Sequence, residues 1–299
     1  MNDIQAVCYG EVLIDIFPNH KKIGGAPLNV AVWLNALGLE TAIISRVGND
    51  ENGKEILDYL KSRGVNTGHI AVSDAELTGI VNVTLSSDGS ASYEITKRVA
   101  WDSIQSDTGI LDSVNEARVF VYGSLSSREE VSRQTLMELL EKANFKVLDL
   151  NLRPPFYSED LILNLIENAD FVKLNHEELE IVAGILHAPS KDLEGQLLYL
   201  SKRFSDKTFC VTRAENGAVL HKDGTLYSNA GYQVEVQDTV GAGDSFLATL
   251  IYHLMNDEDC QKSLDQACAV GAFVATQKGA TPEINYRRIE ELMLDTQKQ

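Results

Sequence analysis

Asp238-Thr239-Val240-Gly241-Ala242-Gly243-Asp244-Ser245-Phe246 holds the densest chemistry in this chain. Two glycines leave a stretch of backbone without bulky side chains, so its N–H groups can point at an anion. The segment that follows, 246–255, carries apolar residues at Phe246, Leu247, Leu250, Ile251 and Leu254, which is helical spacing. The glycines therefore sit at a helix N-terminus, where open N–H groups and the helix dipole favour a phosphate. Asp244 falls in the first turn beside that anion site. A carboxylate there can take the proton of a hydroxyl whose oxygen attacks phosphorus. A plain strand-to-helix turn would look similar. A dinucleotide loop would need a third glycine where Phe246 stands, near the start of a βαβ unit.

Other polar residues gather at the ends of apolar runs. Gly24-Gly25-Ala26-Pro27-Leu28-Asn29 opens a helix that closes at Gly38, with Asn29 offering a donor and an acceptor from its first turn. Asp15 follows the run Val12-Leu13-Ile14, and its carboxylate could accept bonds from two adjacent hydroxyls. Asp149, Asn151 and Arg153 alternate after a strand. If the chain stays extended they share one side, and Pro154 favours that for Arg153. Asn175 and Glu178 have capping-box spacing. Glu and Gln both serve such a box, so Glu178→Gln would spare the cap and remove the charge. Asn216-Gly217 is a turn signal between two strand-like runs.

These residues need a scaffold. Strand-like runs at 4–9, 42–47, 118–122, 146–150, 170–174 and 208–212 alternate with helical patterns at 28–37, 53–63, 132–143, 160–168 and 177–183. Alternation with continuously apolar strands predicts an α/β fold whose mostly parallel central sheet has helices on both faces. Ligands in such folds sit outside the carboxyl ends of the strands. One stretch differs. Residues 77–95 alternate in period two around Ser87-Asp88-Gly89, which reads as an antiparallel hairpin. We expect one domain over 1–299, with β-lid segments near 11–23 and 77–100.

Among its 299 residues, 26 are Lys or Arg and 44 are Asp or Glu, a formal net charge of −18. That balance opposes binding to nucleic acid or an anionic membrane. Cys8, Cys210, Cys260 and Cys268 form no C-x-x-C pair, which points to a reducing, cytoplasmic setting. The polar start has no signal-peptide character, and no apolar stretch reaches membrane-spanning length. The six His show no metal spacing.

The nonamer resembles the second signature of the ribokinase-like (PfkB) carbohydrate kinases, D-T-x-G-A-G-D-x-F, and Gly24 to Ala31 resembles the first, G-G-x-x-x-N-x-A. The resemblance runs over nearly the whole chain. It implies a ribokinase-like three-layer sandwich with a small β lid and an ATP-dependent, magnesium-assisted transfer to a sugar hydroxyl. It also implies site roles. Asp244 becomes the base, and the N–H groups of Gly241, Ala242 and Gly243 the anion hole, with Arg153 bracing the phosphoryl group or the sugar. Asp15, Gly24, Gly25, Asn29 and Asn151 become sugar-side residues. Trp101, just after the hairpin, reads either as an apolar wall beside the sugar or as a core residue. Asn175, Thr212, Gly217, Gly243 and Gly279 become nucleotide-side residues, and Glu178 orients magnesium through water. In the T-x-G-x-x-G stretch the middle position is Ala214. Some relatives hold a monovalent cation near Asp238, which the sequence leaves open. The hairpin becomes a lid or dimer clasp, with a homodimer through it as the expected assembly. Gly-Glu-x-Leu-x-Asp and Asp-x-Asn-x-Arg are similar to the bacterial fructokinase branch, making fructose the first acceptor, with ketodeoxygluconate or ribose next. A catalytically dead sugar-binding regulator on the same fold is the rival from another class, against which Asp244 speaks.

Overall fold

The computed structural model describes residues 4–85 and 91–295; the turn expected at Ser87-Asp88-Gly89 lies outside them. The chain forms two compact units, residues 1–144 and 145–299.

The first unit contains, in order, β1 (Ala6–Tyr9), β2 (Leu13–Ile16), β3 (Lys21–Gly24), α1 (Ala26–Ala36), β4 (Thr41–Gly48), α2 (Glu51–Ser62), β5 (Ile70–Ser73), β6 (Gly79–Leu85), β7 (Ala91–Ile95), α3 (Thr108–Glu116), β8 (Val119–Gly123) and α4 (Glu130–Leu140). Strands β8, β1, β4 and β5 lie side by side and parallel. Every residue of β1 and β8 is buried, as continuous apolar runs covered on two faces require. Helix α1 packs on β1, β4 and β8. Pro27 through Leu34 are all buried, so this helix has no solvent stripe and carries Asn29 into the interior.

Strands β3, β2, β6 and β7 form a separate four-stranded sheet. Its β6–β7 pair is the antiparallel hairpin expected from period two. Leu13, Val81 and Val83 make its small core, with Phe17 and Ile95 packed against them. Beneath β6 lies a buried ion pair. Arg128 donates to both oxygens of Asp102 at 2.7 and 2.8 Å and stacks 4.0 Å from the Trp101 ring centre. Charge pairing, bidentate geometry and the aromatic face together compensate the lost hydration of this guanidinium.

The second unit contains β9 (Lys146–Asp149), α5 (Glu159–Glu167), β10 (Phe171–Asn175), α6 (His176–Ile185), α7 (Leu193–Arg203), β11 (Thr208–Thr212), β12 (Ala218–Lys222), β13 (Thr225–Asn229), α8 (Ala242–Met255), α9 (Cys260–Ala275) and α10 (Tyr286–Asp295). Strands β9, β10 and β11 are parallel, and β12 and β13 continue antiparallel. Helices α8 and α9 pack on each other, and α6 and α7 cover β10 to β12. Among the described residues no helix is long and apolar enough to cross a membrane.

Candidate active site

In the second unit, α8 opens on Gly241 in the left-handed region, φ 78°, with no side chain capping it. A Cβ at Gly241 would lie 2.5 Å from Cα of Ala280, so only glycine fits. The loop before it is tied down by one carboxylate. Asp238 accepts from Val240 N–H at 3.1 Å and from Gly279 N–H at 3.2 Å. Asp244 stands in the first turn of α8, half-buried. The helix start, its glycines and the carboxylate thus have the arrangement expected from the nonamer.

Lys173, a residue the sequence reading passed over, sits beneath this loop. It is 7% exposed, and its Nζ donates to both oxygens of Asp149 at 2.9 and 3.1 Å. The two residues are direct partners across the parallel β9–β10 ladder. A Cβ at Gly243 would stand 3.3 Å from Nζ, so the glycine lets the α8 backbone approach the ammonium. Burial pulls the Lys173 pKa down, but Asp149, Glu178 and Asp244 more than offset it and the net shift is upward. The lysine therefore stays charged beside the glycine loop that opens α8. Its one sequence signal was a cation inside the apolar run Phe171-Val172-Lys173-Leu174.

Asn175 and Glu178 form the expected capping box on α6, with both bonds at 2.8 Å. Glu178 does more than cap. Its Oε1 accepts from Leu152 N–H at 2.7 Å. Both oxygens thus serve backbone donors, which corrects the expectation that Glu178→Gln leaves the local structure intact. An amide has one acceptor oxygen and would turn its NH₂ toward one of the two N–H groups. Burial raises the Glu178 pKa, against Lys173 and the two N–H groups, which lower it.

Each Glu178 oxygen keeps a second lone pair. That hard, buried oxygen set suits a magnesium ion held through water, since magnesium sheds its waters reluctantly. No group of three His, Cys, Asp or Glu that could hold a metal by itself occurs among the described residues.

The strand end after Asp149 departs from expectation. Asn151 has φ 41°, so the chain turns and Asp149, Asn151 and Arg153 do not alternate along an extended strand. Arg153 is exposed and donates to the Leu152 carbonyl at 3.0 Å, while Asp149 pairs with Lys173. Thr212 lies beside Asn175 in the β10–β11 register. Gly217 (φ 76°) lets the β11–β12 turn press against residues 229–231, where a Cβ would meet the Asn229 carbonyl oxygen at 2.2 Å. Ala214 adopts φ 51°, a glycine-like conformation despite its methyl group.

The first unit gathers a different set. Gly24 clears space for Asp15, whose Oδ2 would lie 2.5 Å from a Cβ at position 24. Gly25 (φ 116°) starts α1 where a Cβ would strike the Glu11 carbonyl oxygen at 2.4 Å. Asn29 is buried one turn later. Trp101 is fully buried, with Arg128 on its ring and Gly79 against its Nε1. That placement favours the core residue over the sugar-facing wall.

A family model described as pfkB family carbohydrate kinase matches residues 1–285. Fructokinase-2 of Oryza sativa subsp. japonica is 30% identical over 308 residues, covering 93% of this chain and 90% of that protein. A fructokinase from Vibrio cholerae O395, solved with fructose, ADP and a calcium ion, superposes with a TM-score of 0.82 at 24% identity, covering 98% of this chain and all of that one (100%). A 2-dehydro-3-deoxygluconokinase from Thermotoga maritima gives a TM-score of 0.85 at 24% identity over 97% of this chain and 99% of that one. The last two establish the fold.

Proposed function

The chain belongs to the pfkB family of carbohydrate kinases, and on that premise we propose that it phosphorylates free D-fructose from ATP to give fructose 6-phosphate. The observation that carries this is the start of α8, where glycine N–H groups, a first-turn Asp244 and a buried charged Lys173 converge. The sugar 6-hydroxyl oxygen attacks the γ-phosphorus, its bond to phosphorus forms as the bond to ADP breaks, and Asp244 takes the hydroxyl proton. N–H groups of residues 241–244 and the Lys173 ammonium would stabilise the charge on the transferring group. Glu178 is the residue that would hold magnesium, which when bound neutralises charge on the ATP phosphates. Asn175, Thr212, Gly217 and Gly279 would line the nucleotide. Asp15, Gly24, Gly25, Asn29 and Asn151 would hold the sugar, with Arg153 at its reacting end. We keep residues 1–299 as a single ribokinase-like domain in this proposal. Four free cysteines suit a cytoplasmic enzyme.

Fructose is favoured because the fructokinase resemblance includes Asp15 together with the Asp149-Asn151-Arg153 strand end. The test compares kcat/KM for fructose, ribose, ketodeoxygluconate, adenosine and fructose 6-phosphate. We expect fructose to lead each by about tenfold or more, roughly 1.4 kcal/mol in transition-state binding. Asp15→Ala should raise the fructose KM far more than the ATP KM. Another acceptor winning by that margin overturns the fructose assignment and leaves the kinase assignment standing.

We also propose a homodimer through the sheet β3-β2-β6-β7. Among the described residues the core of this four-stranded sheet is Leu13, Val81 and Val83 with Phe17 and Ile95 against them, and so small a core gains from a second apolar surface. Sedimentation equilibrium should return twice the mass of the 32.9 kDa chain. A monomer at all concentrations would remove this assembly.

A further inference from the structure

The bond from Leu152 N–H to Glu178 Oε1 joins segments 26 residues apart. It is buried, and it falls between two residues of the proposed acceptor site. Asn151, on one side, holds φ 41°, a left-handed conformation that Asn adopts more readily than most residues but at a cost. Arg153, on the other side, is exposed and bonded to the Leu152 carbonyl at 3.0 Å. Glu178 holds the N–H of the Asn151–Leu152 peptide and Arg153 the carbonyl of the next one, so Leu152 is fixed on both sides where the chain leaves β9. The other Glu178 oxygen is spent on Asn175 N–H at the start of α6. One carboxylate therefore bolts the turn after β9 to the helix after β10.

We infer that Glu178 is a positioning residue for Arg153, acting through the Leu152 peptide to hold the left-handed step at Asn151. Its effect on fructose is separate from any effect on magnesium. The inference rests on the proposed kinase reading for what Arg153 touches, and on the structure for the clamp. A residue that only capped α6 would need one carboxylate oxygen. A residue that only held a metal-bound water would have no reason to take the Leu152 N–H.

The experiment uses the full-length protein and three variants: Glu178→Gln, Arg153→Ala and the double variant. Amide exchange at Leu152 reads the clamp without catalysis. In Glu178→Gln it should accelerate by about tenfold or more, with exchange in α9 unchanged. Unchanged exchange at Leu152 overturns the proposal. Kinetics then read the coupling. Glu178→Gln should raise the fructose KM in the wild-type background and leave it nearly unchanged in the Arg153→Ala background, because the residue it positions is gone. Its effect on the magnesium dependence of kcat should persist in both. KM increases that multiply in the double variant also overturn the proposal. Should Glu178→Gln fail to fold, an ester link in place of the Leu152 N–H removes that single donor and must reproduce the KM effect. Failure of the wild type to turn over fructose refutes the substrate reading, and the exchange measurement still decides the clamp.

Discussion

Asp244→Asn is expected to lower kcat by about 10²–10⁴-fold, the usual cost of losing a general base. That is roughly 3–5 kcal/mol in the barrier. Folding should hardly change. The first-turn carboxylate interacts with the α8 dipole for about 0.3–1 kcal/mol, a small term beside the catalytic one. Asparagine keeps the size of the side chain, so the loop between Asp238 and Gly243 stays braced. Single-turnover kinetics, with the melting temperature as control, make the measurement. A variant that turns over near the wild-type rate would place the base elsewhere. An inactive variant that has also lost its fold would not count for the assignment, so ATP binding must be shown to survive.

The second large effect is on stability. Lys173→Met leaves the Asp149 carboxylate, 4% exposed, without its cation. Breaking one side of a buried pair costs about 3–5 kcal/mol, because the remaining charge is stranded in low dielectric. Adding Asp149→Leu removes the stranded charge and should recover most of that loss. Urea denaturation reads both variants, and an unchanged m-value confirms that the same surface unfolds. Turnover should stay low in the stabilised double variant, since the ammonium beside Gly243 is still absent. If the single variant loses less than about 1 kcal/mol, the pair is not the buried contact described above. If the double variant regains wild-type turnover, Lys173 serves the fold alone.

What could be read beforehand divides by range. The α8 loop was legible because its parts are contiguous: glycines, first-turn Asp244 and an apolar helix face follow one another from 238 to 255. The capping box at Asn175 and Glu178 was legible for the same reason. The alternation of strand and helix was enough for the α/β class. Lys173 was not legible as a partner of Asp149, because that pairing requires β9 and β10 to be neighbours in a set register, and the two residues stand 24 apart. The second bond of Glu178 escaped for the same reason. Asn151 misled the reading outright. Spacing of two implies one face only while the chain is extended, and a single φ of 41° breaks the rule. Trp101 was ambiguous because its neighbour Arg128 lies 27 residues on and Gly79 lies 22 residues before. Helix α7 lies outside every stretch whose spacing read as helical.

The tie between Asp238 and Gly279 spans 41 residues, and Gly241 rests on Ala280 at the same point. Between these fastenings the chain runs out along α8 and back along α9. The two helices with their connecting turn make a closed ring, pinned at the root and bare at the tip, where Asn256 and Asp257 are exposed. Closing a ring costs entropy that grows only slowly with its length. The tip is thus cheap to lengthen, while a single residue added at the root would break the register of the glycines. A lineage of such proteins can drift in arm length without disturbing the glycine loop at the root of α8, and an engineer seeking a place to graft a peptide would choose the tip.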